Sequence, residues 1–164
     1  IELGLVGSEM CIRDSTGEFM GVSSFDYYEL IAQNTSNFTT YTGTGNLNCI
    51  NANRLSYFFD FQGPSMAIDT ACSSSLVAVH LACQSLWSGE STLALVGGVH
   101  IMTSPWMSVA YSQGGFMAAD GRCKTFDAKA DGYVRSEGAG LVVLKPRSQA
   151  LETVSYTHLR AHET

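Results

Sequence analysis

The chain has 164 residues, 45% of them apolar and only 15% charged, with a formal net charge of −6. That length and apolar content suit one domain with a buried core rather than a disordered chain. No basic cluster interleaved with aromatics tracks a phosphate backbone, which argues against a nucleic-acid partner, and no apolar run approaches the roughly 20 residues of a membrane-spanning helix, so a soluble protein is expected.

In chain order, the first segment to place is also the first to set aside. "LVGSEMCIRDS" (residues 5–15) can be encoded by DNA whose complementary strand, in one frame, spells "VSYTHLRAHE" (residues 154–163). Unrelated protein segments have no reason to be reverse complements, and this DNA resembles the adapter of transposase-based sequencing libraries. Residues 1–15 and 154–164 are therefore expected to be translated adapter, uninformative about the fold. Cys11, His158, Arg160 and His162 drop out with them. The native stretch is 16–153, and its four cysteines, Cys49, Cys72, Cys83 and Cys123, show neither CxxC pairing nor the density of a secreted disulfide scaffold. A reducing cytoplasm fits that usage.

"GEFMGVSS" has the short apolar character of a strand followed by turn residues, and residues 25–33 then read as a helix with Asp26 near its start. A loop, "NTSNFTTYTGTGNLN", follows. Residues 49–59 suit a helix that buries Ile50, Leu55, Phe58 and Phe59, closed by "DFQGP". "SMAID" is a short strand. From residue 72 to 88 apolar side chains occupy most of a helical circumference, so a buried helix is predicted, stopped at Gly89. Residues 92–102, "TLALVGGVHIM", form a two-sided apolar strand, which calls for a sheet covered by helices on both faces. A long turn-rich stretch leads to a last strand in "LVVLKP".

Cys72 therefore sits between a strand and a buried helix. Amides of a first helical turn lack partners within the helix, and the aligned peptide dipoles there favour a thiolate. The same amides suit a developing oxyanion. Against this stands the ordinary behaviour of a free cysteine as a small buried hydrophobe. Ser73, Ser74 and Ser75 need no catalytic explanation, because small hydroxyls at a helix start accept from orphan amides. A serine hydrolase is not supported, since neither "CSSSL" nor "GPSMA" supplies G-x-S-x-G. A nucleophile needs a base, and the native stretch offers two histidines. His80, eight residues along the helix and so roughly 12 Å from Cys72, reads as a packed helix residue. His100 ends a strand with nothing aiming it at the thiol. These histidines with Cys83 and Cys123 lack metal-ligand spacing, so no metal site is expected, and "SEGAG" lacks the lysine of a P-loop.

Three stretches in order, "YTGTGNLNCINANRLSYFFDFQGPS", "GPSMAIDTACSSSLVAVHLA" and "AADGRCKTFDAKADGYVRSEGAGLVVLKP", carry a specific likeness. Together they resemble the β-ketoacyl synthase domain of modular type I polyketide synthases. The resemblance covers residues 16–151. It implies an α/β, thiolase-like layered αβαβα fold of two similar halves, dimeric in the parent, with part of the first half present here. It places Cys72 on the family's active-site cysteine, which takes an acyl chain as a thioester from an acyl carrier protein; the family then decarboxylates a malonyl-type extender and condenses it with that chain. Tyr111 and Tyr133 fall near positions bordering the acyl pocket. No resident cofactor is implied, the phosphopantetheine belonging to the acyl carrier protein. The partners implied are that carrier and small acyl and malonyl-type thioesters, with no nucleic acid and no membrane. The family's catalytic histidines lie in later motifs of the HGTGT and GH types, beyond this chain. A retained cysteine, where decarboxylating members carry glutamine, points to a condensing parent, and the absence of those histidine motifs to an inactive fragment. Two alternatives remain open: a fatty-acid-type 3-oxoacyl carrier-protein synthase or thiolase relative, and a non-catalytic incomplete half-domain.

Overall fold

The computed structural model describes residues 14–152, so the segments read as adapter lie outside the described residues apart from Asp14 and Ser15. The elements are β1 (Thr16–Gly21), α1 (Asp26–Ala32), a 3₁₀ turn (Thr35–Asn37), α2 (Tyr41–Thr44), α3 (Asn48–Phe59), β2 (Ser65–Ile68), α4 (Ser74–Ser88), β3 (Leu93–His100), α5 (Trp106–Gln113), β4 (Gly138–Leu144) and α6 (Arg147–Glu152). They divide into two compact units. Among the described residues, the first comprises those through Ser23, Leu47–Val99 and those from Ala139; the second comprises Ser24–Asn46 and His100–Gly138.

The first unit is a four-stranded sheet in the order β2-β1-β3-β4, with β1 parallel to both neighbours. All six residues of β1 are buried, and successive side chains leave on opposite faces. Phe19 packs with Ala78 and Ala82 of α4 and with Ala94 and Val96 of β3. Met20 and Val22 pack with Ala52 of α3. Helices thus cover both faces, as the two-sided apolar character of β3 requires.

Two helices depart from the orientation that the sequence predicts. The periodicity of α3 predicts burial of Ile50, Leu55, Phe58 and Phe59; instead its buried residues are Ala52 and Ser56, while Phe58 and Phe59 are 77% and 47% exposed. The reason is a carboxylate. Glu18, fully buried in β1, has its Oε2 2.9 Å from the Ser56 hydroxyl, which is also 2.9 Å from the Ser65 hydroxyl of β2. A buried charge needs such a donor, and the small side chains of Ala52 and Ser56 bring α3 close enough to supply it. α4 begins at Ser74 rather than at residue 72, ends at Gly89 in the left-handed conformation (φ 76) as expected, and is not buried all round: Ala78, Ala82 and Ser85 face inward, while Leu76 and Trp87 are 74% and 79% exposed. His80 is exposed, not packed as its place in an apolar helix suggests.

In the second unit, Asp26 at the start of α1 is buried. Its carboxylate accepts from the Ser24 hydroxyl and the Ser104 amide, both at 3.2 Å. α5 lies within a stretch whose sequence shows only turn chemistry. Beyond it, the loop closes on itself: Met117 and Tyr133 form a β-bridge, and the Lys124 ammonium lies 2.7 Å from both Asp120 and Asp131. Among the described residues no helix is long and apolar enough to cross a membrane.

Candidate active site

Cys72 occupies the link between β2 and α4, and its position follows from a β-turn. The Ser74 amide donates to the Ala71 carbonyl at 3.1 Å, placing Cys72 and Ser73 at the turn's two central positions. Ser73, with φ −90° and ψ −1°, has the geometry of the third residue of a type I turn. The thiol is therefore at the tip of a turn and exposed, not inside the first helical turn. Ala71, just before it, has φ +54°, a left-handed conformation that L-residues other than asparagine and aspartate rarely adopt.

The serines act differently from the capping expected of them. No side chain caps the start of α4. The Ser74 hydroxyl, in a residue only 6% exposed, reaches back: it accepts from the Thr70 amide at 3.0 Å and donates to the Ala71 carbonyl at 2.6 Å. Ser73 donates to the Thr70 carbonyl at 2.9 Å, and its hydroxyl is 2.9 Å from that of Thr70. Asp69 Oδ1 accepts the Ala71 amide at 3.0 Å. The readable signal for this is "DTA", an aspartate two residues before the amide it binds, which is the pattern of an Asx turn.

Below the turn, the sheet is bare of side chains. Gly21 of β1 and Gly98 of β3 are register partners. A Cβ on Gly21 would lie 2.8 Å from the Ser75 amide nitrogen and 3.0 Å from the Ser74 carbonyl carbon, and one on Gly98 would lie 3.3 Å from the Ser75 Cβ. The first turn of α4 thus rests directly on backbone, which only glycine permits at Gly21.

The second unit holds His100, Tyr111 and Tyr133. Tyr111 of α5 and Tyr133 have ring centroids 6.4 Å apart, with Phe116 6.0 Å from Tyr111 edge-on. The Arg135 guanidinium lies over the Tyr111 ring at 5.5 Å, within cation–π range, donates to the Ser108 hydroxyl at 2.8 Å and lies 3.4 Å from His100 Nε2. The structure thus brings Tyr111 and His100 together at Arg135, a residue that the sequence does not single out, with Tyr133 joined through the Tyr111 ring. A lone arginine in "GYVRSEG" carries no periodic or motif signal of its own.

The chain matches the family model described as β-ketoacyl synthase, N-terminal domain, over residues 4–150. It is 52% identical over 136 residues to the protein named Probable polyketide synthase 1 of Dictyostelium discoideum, a match covering 83% of this chain and 4% of that protein. To a phenolphthiocerol/phthiocerol polyketide synthase of Mycobacterium tuberculosis it is 51% identical over 136 residues, 83% of this chain and 9% of that protein. Among solved structures, an oxazolomycin ketosynthase domain from Streptomyces albus superposes with a TM-score of 0.74 at 43% identity, covering 84% of this chain and 24% of that one. The described fold is accordingly part of the N-terminal half of a thiolase-like ketosynthase. With its strand–turn–helix cysteine, its covered sheet and these matches, the chain belongs to the β-ketoacyl synthase family.

Proposed function

We propose that this chain is a piece of a polyketide-type ketosynthase in which Cys72 is the acyl acceptor. The observation that carries the reading is the exposed thiol at the tip of the 71–74 turn, in a chain of this family. The chemistry balances without an external oxidant or reductant. The Cys72 sulfur attacks the thioester carbonyl of an acyl group on the phosphopantetheine arm of an acyl carrier protein. A new S–C bond forms, the carrier's S–C bond breaks, and the carrier thiol leaves with the proton that Cys72 gave up. A malonyl-type extender held as a carrier thioester then loses carbon dioxide; its carbanion forms a C–C bond to the acyl carbonyl carbon, the Cys72 S–C bond breaks to release the thiolate, and the β-ketoacyl chain stays on the extender's carrier.

Tyr111 and Tyr133 are the proposed acyl-pocket border, supported by their shared aromatic cluster. No resident cofactor or metal enters this scheme; the phosphopantetheine belongs to the partner. The bases that complete it are proposed to lie outside this chain, which spans 4% and 9% of the two curated relatives, so the chain alone is inactive. The proposed parent is a cytoplasmic homodimer, and residues 1–15 and 154–164 are proposed to be adapter-encoded. Relatives that are polyketide synthases favour this reading over the fatty-acid-type alternative. The test uses the uninterrupted reading frame that contains these residues, supplied with acyl and malonyl-type carrier thioesters. A β-ketoacyl product on the carrier is expected, and Cys72→Ser abolishes it; condensation that persists in the variant refutes the assignment.

A further inference from the structure

We propose that Ser74 and Asp69 are positioning residues that hold Ala71 in its left-handed conformation and thereby fix the direction in which Cys72 is presented. This rests on the reading of Cys72 as acyl acceptor. The starting observation is the φ of +54° at Ala71, directly before the thiol. Such a conformation is unfavourable for an L-residue and persists only where the surroundings over-determine it. Here both backbone polar groups of Ala71 are held. Its amide donates to Asp69 Oδ1 at 3.0 Å, and its carbonyl accepts from the Ser74 hydroxyl at 2.6 Å and the Ser74 amide at 3.1 Å.

Ser74 is the centre of this arrangement. Its hydroxyl also accepts the Thr70 amide at 3.0 Å, so one buried oxygen ties the residues on both sides of the Thr70–Ala71 peptide to the start of α4. Its own backbone is immobilised against Gly21, whose Cβ, if present, would lie 3.0 Å from the Ser74 carbonyl carbon. The anchor is therefore the sheet, and the chain of contacts runs from β1 through Ser74 to Ala71 and then to Cys72. Were Ala71 released, its φ would relax toward the favoured values near −60°. That rotation swings the following peptide and moves the thiol away from the geometry the turn imposes.

The test measures the rate at which iodoacetamide alkylates Cys72, read from the mass of the Cys72 peptide, in the uninterrupted reading frame. Ser74→Ala and Asp69→Ala are each expected to slow alkylation, by up to about a hundredfold, the cost of misplacing a reacting group by about 1 Å. Asp69→Asn is expected to restore the wild-type rate, because its side-chain oxygen accepts the same amide. Adding Ala71→Gly to Ser74→Ala is also expected to restore it, because glycine takes this φ without strain. Wild-type rates in Ser74→Ala or Asp69→Ala overturn the proposal. So does a Ser74→Ala defect that Ala71→Gly fails to restore, which marks Ser74 as a general structural residue; if Ser74→Ala does not fold, the Asp69→Ala and Asp69→Asn pair decides by the same criterion. Acyl transfer from a carrier thioester is followed in parallel. Its absence from a wild-type protein whose Cys72 alkylates normally refutes the acyl-acceptor reading, while the variant ratios still judge the positioning roles.

Discussion

Glu18 sits in an environment that opposes its side-chain chemistry. It is fully buried in β1, its Oε1 has no hydrogen-bond partner, and burial pushes its carboxyl up from 4.5 to about 6, against the lowering effect of its Ser56 hydrogen bonds. A carboxyl raised on folding favours the folded state most below the unfolded value near 4.5, and that contribution is lost as pH rises through about 6. The loss is on the order of 2 kcal/mol, from the shift at about 1.36 kcal/mol per unit. The parent enzyme is thus predicted to lose stability between pH 4.5 and about 6, seen as a falling urea midpoint, and Glu18→Gln to flatten that slope. A midpoint in the wild type that rises steadily across this window contradicts the assignment. The sequence places Glu18 in a strand but carries no sign of its burial, because its partner serine comes from another element. Cys72 is legible for the opposite reason: its strand–helix junction is local. The roles of Ala71 and Ser74 are not, because a hydroxyl's partner depends on which way the turn folds.

At the scale of elements, existence is easier to read than orientation. Of the strands and helices expected, β1, α1, α3, β2, α4 and β3 all form near their expected places. The face that α3 buries is not legible, because the aromatic run of Tyr57, Phe58 and Phe59 outweighs Ala52 and Ser56 in any count of hydrophobic periodicity, while contact with β1 selects the small side chains. α5 escapes sequence reading because it has only eight residues, ending against Gly114 and Gly115. The element that positions the thiol is α4, and its seat is Gly21. Gly21→Ala places a methyl 2.8 Å from the Ser75 amide nitrogen, against backbone that has no flexible end to yield. It is predicted to cost about 1–3 kcal/mol, the range for overpacking a filled site, and to slow Cys72 alkylation. Thermal melting and iodoacetamide labelling check the two effects; an unchanged melting temperature with an unchanged labelling rate contradicts the seating of α4 on backbone.

For the molecule as a whole, the chain carries apolar side chains without cover. Leu76 and Trp87 on α4 and Leu141, Val142 and Val143 on β4 are each at least half exposed, and the chain spans 24% of the solved ketosynthase it matches. Such surface on an isolated chain favours self-association. Residues 16–153 expressed alone are predicted to aggregate, which light scattering reads directly; a monodisperse product that melts cooperatively refutes this. The family is legible from three stretches of sequence because they hold the turn and strand chemistry together, whereas the meeting of Tyr111 and His100 at Arg135 requires the fold. The central claim is that Cys72 carries the acyl chain. Its most direct measurement is the mass of the Cys72 peptide after the uninterrupted frame is incubated with an acyl carrier thioester. A mass increase of one acyl group on that peptide, absent in Cys72→Ala, is the predicted result; an unmodified Cys72 peptide, or an acyl group found on another residue, contradicts it.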